Sequence, residues 1–371
     1  MRKVFTLFFL MFVATAFAEI KVGGLFALTG PASILGLPEK QTVELYVEKI
    51  NKSGGINGQK IDLIVYDTQS VDDEARKKFI RLVQKDSVSL VIGPTTSGES
   101  LAIKDLASQY KIPVISLASS DRIVNPLNPF VFKVAPSDDH AVQRVFDYLS
   151  KNKMNKVAIL TVQNGYGDSG RAAMLKEAKN FNIEILADEK YLDTDKDMTS
   201  QLSKINSKKP DAVIVWGVGP APAIIAKNFR QLNMKSQLVM SHGIASAKFI
   251  ELAGDAANDI ILPAGRIIVA DQLADSDKYK KILLDYIKEF EKEFKTPVST
   301  FGGHAYDAIN LILKIKNFKD GNSIVGNLEG IKGYIGTYGT FDFSANDHNG
   351  LSKDAFVMVK IVDKKWKLIN Q

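Results

Sequence analysis

Short apolar runs alternate with helically spaced segments along almost the whole chain, from Ile20 to Lys367. Ile20 to Phe26 is a run of β-branched and apolar residues, which reads as strand. Residues 38–52 carry Val43, Tyr46, Val47 and Ile50 at helical spacing and end in KSGGINGQK, whose glycines stop a helix and turn the chain. The same reading predicts strands at 61–66, 88–92 and 113–117 and helices at 72–84 and 97–110. After NPFVFKVAPSDDHAV, read as a transition segment, the alternation restarts. Helices are predicted at 138–151, 166–180, 198–206, 221–232 and 246–253, separated by strands at 156–162, 183–190, 211–216 and 237–240. Near ILPAGRIIVA the rhythm changes; long helices follow at about 275–295 and 302–316, then a glycine-studded tail and a last strand pair. Such alternation requires crossover connections, and therefore parallel sheets covered by helices. Two series with a late return predict an α/β chain of two Rossmann-like lobes: residues 19–137 with 266–345, and 138–265 with 346–371. No long linker separates them, so the lobes are expected to be close-packed and hinged by short segments.

A chain of 371 residues, 45% apolar, can fill two such cores. Its first eighteen residues do not belong to them. Arg2 and Lys3, an apolar run from Val4 to Val13 and the small-x-small Ala16-Phe17-Ala18 have the order of a cleaved secretory signal peptide. Losing Arg2 and Lys3 lowers the formal charge from +6 to about +4. The remaining positive charge is scattered in lysine doublets, with no basic stripe interleaved with aromatics, so nucleic acid is not an expected partner. No later run is long and apolar enough to span a bilayer. The chain has no cysteine. That excludes thiol catalysis, thiolate metal sites and lipid attachment through cysteine, and it points to a protein free in a periplasm.

Ligands of open α/β sheets bind beyond the carboxyl ends of the strands, so the strand-to-helix corners hold the candidates. In IGPTTSGES, Thr96 and Glu99 have capping-box spacing, which starts a helix at Thr96 or Ser97. Free N–H groups and hydroxyls there make an anion site. The next corner, Ala118-Ser119-Ser120, repeats the arrangement. Two adjacent donor-rich corners suit one carboxylate, while ordinary capping explains each corner separately. Tyr166, in QNGYGDSG, either closes over a ligand or packs into the lobe edge. Trp216 ends a buried-looking strand; its indole is structural or reaches the cleft.

Phosphate-loop, dinucleotide, zincin and nucleophile-elbow motifs are absent, and no cofactor or metal is expected. His242 stands beside Ser241, but on an extended segment adjacent side chains point apart, which disfavours a hydrolytic pair.

In this order the corners resemble the periplasmic solute-binding proteins of ABC importers of the branched-chain amino acid (Leu/Ile/Val-binding) type. The resemblance rests on IKVGGLFALTGPASILG, INKSGGINGQKIDLIVYDTQSVDDEA, LVIGPTTSGESLAI, IPVISLASSD, QNGYGDSG, DAVIVWG and FGGHAYDAI, and covers essentially the whole mature chain. It implies a type I periplasmic binding fold, with two lobes joined by three crossing strands and closing on a small molecule. It implies that Ser97 and the run Ala118, Ser119, Ser120 hold a ligand carboxylate, that Tyr166 caps the ligand and that Leu35 lies near the cleft. Amino-acid binders of this type place a carboxylate, which pairs with the ligand ammonium, where this chain has His242, and often a tyrosine where it has Val218. A buried ammonium without an anion is costly. The corners SHGIAS, PAGRIIVA and STFGGHAYDA are more similar to those of members assigned to aromatic or other organic acids.

The resemblance therefore implies a non-catalytic monomer. It would bind a small carboxylate among Ser97, Ser119 and Ser120 at one end and Leu35, Trp216, Val218 and Phe301 around the rest, with His242 and His304 as polar contacts. Its macromolecular partner would be an inner-membrane ABC permease. Amino-acid binding in the same role, a chemosensory adaptor and a secreted hydrolase are the alternatives.

Overall fold

The structure, a computed structural model, describes residues 19–369, so the expected signal peptide lies outside the described residues. Five parallel strands form the first sheet: β1 (Ile20–Phe26), β2 (Ile61–Asp67), β3 (Leu90–Ile92), β4 (Val114–Ser116) and β5 (Val131–Lys133), in the order β2-β1-β3-β4-β5. Both of its faces are dry, and period-two alternation divides the side chains between them. Val22, Phe26, Leu90, Ile92 and Ile115 join the core beneath α1 (Ser33–Lys52). Leu25, Val91 and Val114 turn the other way, to Phe79 of α2 (Asp72–Arg81) and Ile103 of α3 (Ser97–Tyr110).

After α4 (Asp138–Lys151) the second sheet begins. Its strands are β6 (Lys156–Val162), β7 (Glu184–Tyr191), β8 (Ala212–Trp216), β9 (Gln237–Met240) and β10 (Ile261–Ala264). The helices α5 (Gly165–Glu177), α6 (Thr199–Ser207), α7 (Ala221–Gln231) and α8 (Ala247–Ala253) intervene. These five strands are parallel, and the last two of the chain add an antiparallel edge beyond β10. The wholly buried AVIVW of β8 splits as in the first sheet, Ile214 and Trp216 to one face and Val213 and Val215 to the other.

The chain passes between the sheets three times: after β5, after β10 and in the stretch before the last two strands. The second passage leads to α9 (Lys280–Phe294) and α10 (Thr300–Ile312), and α10 packs along α1 beside the first sheet. The first and third passages are laced together. Asn349 Nδ2 donates to Lys133 O (3.2 Å) and Ala135 O (3.0 Å), and Lys133 N–H donates to His348 O (3.0 Å).

Differences from the sequence reading concentrate where elements are short or weakly signalled. The transition segment contains β5, whose three residues are too few to show a period. Residues 321–329 form α11 (Gly321–Glu329), a helix not foreseen. Helix α1 begins at Ser33, five residues before the expected start, with Pro38 inside it and neither a side-chain cap nor an acidic first turn to mark its beginning. The chain closes with β11 (Tyr334–Ile335), β12 (Thr340–Phe341), β13 (Val357–Val362) and β14 (Lys365–Leu368).

Candidate ligand-binding cleft

The carboxyl ends of the two sheets face each other across a cavity of about 290 Å³, lined by the corners after β1, β3 and β4 on one side and after β6, β8 and β9 on the other. On the first side, α3 starts in a complete capping box: Thr96 Oγ1 accepts from Glu99 N–H and the Glu99 carboxylate accepts from Thr96 N–H. The cap leaves the first-turn N–H groups of Ser97 and Gly98 without intrahelical acceptors, at the positive end of the helix. Ser97 lines the cavity, and its Oγ accepts from Ser120 N–H (3.3 Å), which leaves the Ser97 hydroxyl proton free to donate.

The second corner is less open to a ligand than its sequence implies. Ala118 and Ser119 line the cavity, but Ser119 donates its hydroxyl to Asp138 Oδ1 (3.0 Å) and Ala118 gives its N–H to Ser116 Oγ (3.2 Å). Ser120 does not face the cavity. Its Oγ accepts from Arg122 N–H and caps the one-turn helix Asp121–Ile123. The side chain expected to contact ligand is spent on local structure.

Rings build the opposite wall. Asn164 caps α5 by accepting from Tyr166 N–H (3.0 Å) and Gly167 N–H (3.1 Å), which sets Tyr166 at the first turn. The Tyr166 hydroxyl accepts from Gly243 N–H (3.2 Å) and lies 3.5 Å from both ring nitrogens of His242. Trp216 lies behind this pair, 5.8 Å from the Tyr166 ring and 5.6 Å from the His242 ring, fully buried and off the cavity surface. It supports the wall instead of contacting the cleft. Leu35, Val218, Phe301 and His304, named from the sequence as ligand contacts, all line the cavity. His304 stacks on Tyr338 (centroids 4.6 Å apart, 26° between planes), and neither of its ring nitrogens has a hydrogen-bond partner among the described residues.

Burial governs the charges. Burial first, and then the nearby Lys133, pulls His242 down to about 3; burial, His242 and Lys133 do the same to His304. Both imidazoles are therefore neutral at neutral pH. Asp138 lies beneath His242, with Oδ1 3.7 Å from His242 Nε2, a contact between a carboxyl group and an uncharged ring. Burial pushes Asp138 up to about 7. Lys133 is also buried, donating to Ser119 O (2.7 Å) and Ser137 Oγ (3.0 Å). Sequence reasoning missed this cluster, because Asp138 in APSDDHAV reads as an ordinary helix-start acid and Lys133 as one more surface lysine.

Two carboxylates do line the cavity, Asp72 and Asp193. Asp72 is exposed, and Asp193 is half-buried and accepts from Asn164 Nδ2 (3.1 Å). Asp193 follows a strand at the sheet edge, outside any corner with a recognisable motif. Ser241 Oγ is tied to the Gly217 backbone, donating to its O (3.1 Å) and accepting from its N–H (3.3 Å), and makes no bond to His242. Among the described residues no group of three or more His, Asp or Glu could hold a metal ion, and no helix is long and apolar enough to cross a membrane.

The two walls touch at their rims. A Cβ on Gly165 would lie 2.9 Å from Gly98 N and 3.0 Å from Gly98 Cα, so the starts of α5 and α3 meet glycine to glycine. Gly219 has a φ of +74°, and a Cβ there would lie 2.7 Å from Pro31 O. Thr300 Oγ1 donates to Ala245 O (3.2 Å), a hydrogen bond across the cleft. The arrangement is a closed one.

Comparison with known proteins gives a consistent result. The family described as "Periplasmic binding protein" matches residues 19–365. The Leu/Ile/Val-binding protein BraC3 of Rhizobium johnstonii is 28% identical over 255 residues, 68% of this chain and 69% of that protein. Among solved structures, the branched-chain amino acid transporter substrate binding protein LivJ of Streptococcus pneumoniae, in complex with isoleucine, superposes with a TM-score of 0.84 at 25% identity, covering 95% of this chain and 99% of that one. A solute binding protein of an ABC transporter from Rhodopseudomonas palustris BisB5, in complex with 3,4-dihydroxy benzoic acid, does so with a TM-score of 0.79 at 20% identity, covering 94% and 95%. The chain belongs to the periplasmic binding protein family, with the type I fold of its branched-chain amino acid branch.

Proposed function

We propose that this chain captures a small organic acid that carries no ammonium group and delivers it, enclosed, to an inner-membrane ABC permease. The observation that carries this reading is the charge of the cavity's polar lining: two neutral imidazoles, one from each side, with the carboxyl of Asp138 covered by His242. An ammonium held there would lose its water without gaining an anion. A carboxylate, in contrast, meets Ser97 Oγ and the free N–H groups at the start of α3, where a helix end favours negative charge. Leu35, Val218, Phe301 and Tyr166 enclose an apolar or aromatic body. The dihydroxybenzoate complex of the Rhodopseudomonas protein fits such a ligand.

Residues 19–137 with 266–345 would act as one rigid lobe and 138–265 with 346–371 as the other, hinged at the three passages, and closure would signal occupancy to the permease. The protein would work as a monomer in the periplasm, exported by its first eighteen residues.

Amino-acid binding is the second reading. Asp193 and Asp72 line the cavity and could meet an ammonium directed toward solvent, and BraC3 is named for leucine, isoleucine and valine. A thermal-melting screen separates the two. Benzoate, hydroxybenzoates and branched aliphatic acids should raise the melting temperature by several degrees at saturating concentration, and leucine and isoleucine should not. Stabilisation by isoleucine alone would overturn the organic-acid reading.

A further inference from the structure

His304 has a feature that carboxylate capture does not use. It is buried, it lines the cavity, and both ring nitrogens lack a partner among the described residues. Buried polar groups in folded proteins are nearly always hydrogen-bonded, so an unpartnered imidazole on a cavity wall points to a ligand. His242 lines the same cavity from the other lobe. A run of aromatic rings holds the two in place: His304 on Tyr338, Tyr338 against Phe356 (6.1 Å) and Phe356 against His242 (5.1 Å). His304 stands on α10, which packs on α1 beside the first sheet, while His242 follows β9 of the second.

We infer that His304 and His242 form a clamp, one imidazole from each side of the cleft, that selects acids carrying a hydroxyl group in addition to the carboxylate. A neutral imidazole offers one donor and one acceptor. A carboxylate only accepts and an ammonium only donates, so either would need both rings to present the same kind of nitrogen. A hydroxyl donates to one ring and accepts from the other. Bridged in this way, it ties the two lobes together and favours closure. The inference rests on the organic-acid reading and narrows it to hydroxylated acids.

The test is calorimetric titration of the full mature chain with matched pairs: 3- and 4-hydroxybenzoate against benzoate, and 2-hydroxy-4-methylpentanoate against 4-methylpentanoate. In at least one pair the hydroxylated member should bind 10-fold or more tightly, because its absence leaves a buried imidazole unpaired. His304→Phe keeps the ring's stacking on Tyr338 and should reduce that ratio to within twofold, by weakening the hydroxylated member far more than its unsubstituted partner. His304→Asn, which restores one donor and one acceptor, should recover part of the preference and covers the case in which the Phe variant does not fold. Equal affinity within every pair, or a ratio that survives His304→Phe, overturns the clamp and leaves the organic-acid reading intact. If no acid of either pair binds and isoleucine does, the reading fails and the clamp fails with it.

Discussion

The two walls of the cleft are built from different materials. The β3 wall presents main-chain N–H groups and one free hydroxyl, all placed by the first turn of α3 and its capping box. The β9 wall presents side-chain rings, Tyr166 and His242, backed by Trp216. A helix start is a local device: four residues specify it, and it will hold a carboxylate attached to almost anything. A stack of rings is a tertiary device whose shape depends on residues far apart in sequence. On the proposed function, the first wall would serve capture of a chemical class, and the second choice within it.

Keeping the walls apart should have the largest effect. Gly165→Val places a branched side chain where only 2.9 Å separates a Cβ from Gly98 N. Ligand affinity should fall by about 100-fold, about 2.7 kcal/mol, because both walls remain intact but cannot meet. Scattering should show the ligand-induced compaction lost, with the melting temperature of the unliganded protein little changed. Retained compaction would mean that the glycine contact is incidental to closure.

Ser97→Ala isolates the first wall. It removes a cavity-facing hydroxyl whose proton has no acceptor among the described residues, and the loss should be about 10-fold, about 1.4 kcal/mol. The loss should be similar for every acid that binds, since the carboxylate is common to all. A loss confined to one acid would show that Ser97 reads the ligand's body.

The same contrast explains what the sequence disclosed. The alternation of strand and helix, the corners and the α3 start were legible because each depends on residues within a turn of one another. Ser97, Tyr166, His242 and Phe301 could be placed at the cleft from corner position and family likeness together. What was not legible was where a hydroxyl points once folded. Ser119 and Ser120 look equivalent in ASSD, yet one donates to Asp138 and the other caps the turn at Arg122. Nor was the buried Lys133–Asp138 cluster visible, since its burial comes from the passages folding over it, laced by Asn349 from more than two hundred residues away.

That cluster predicts a pH dependence. Asp138, pushed up to about 7 by burial, binds its proton more tightly in the folded protein than in the unfolded chain. Its contribution to stability is fully present below about pH 4 and is lost as pH rises through about 7. Between pH 5.5 and 7.5 this group by itself lowers stability, by an amount on the order of 1–2 kcal/mol, while His242 and His304, held neutral by burial, act in the opposite sense. Asp138→Asn should remove that contribution, so the variant's melting temperature should rise relative to wild type across this range, while Asp307, also pushed up to about 7 by burial, and the two histidines are common to both proteins. A variant-minus-wild-type difference that falls over this range would mean that the carboxylate form of Asp138 is the one the fold stabilises.

Trp216→Phe should have the smallest effect on binding, and for that reason it tests the division between wall and support. The indole does not touch the cavity, and its Nε1 has no hydrogen-bond partner among the described residues, so phenylalanine sacrifices packing and no polar contact. The packing lost lies behind Tyr166 and His242, against a Gly170 whose missing Cβ would sit 2.2 Å from the indole nitrogen. Large-to-small changes in a core of this kind cost about 1–3 kcal/mol of stability. The melting temperature should therefore drop by a few degrees while the dissociation constant for a bound acid moves less than threefold. A larger change in affinity would show that the ring wall depends on its backing for its geometry, and that its selectivity extends one layer deeper than the residues facing the cleft.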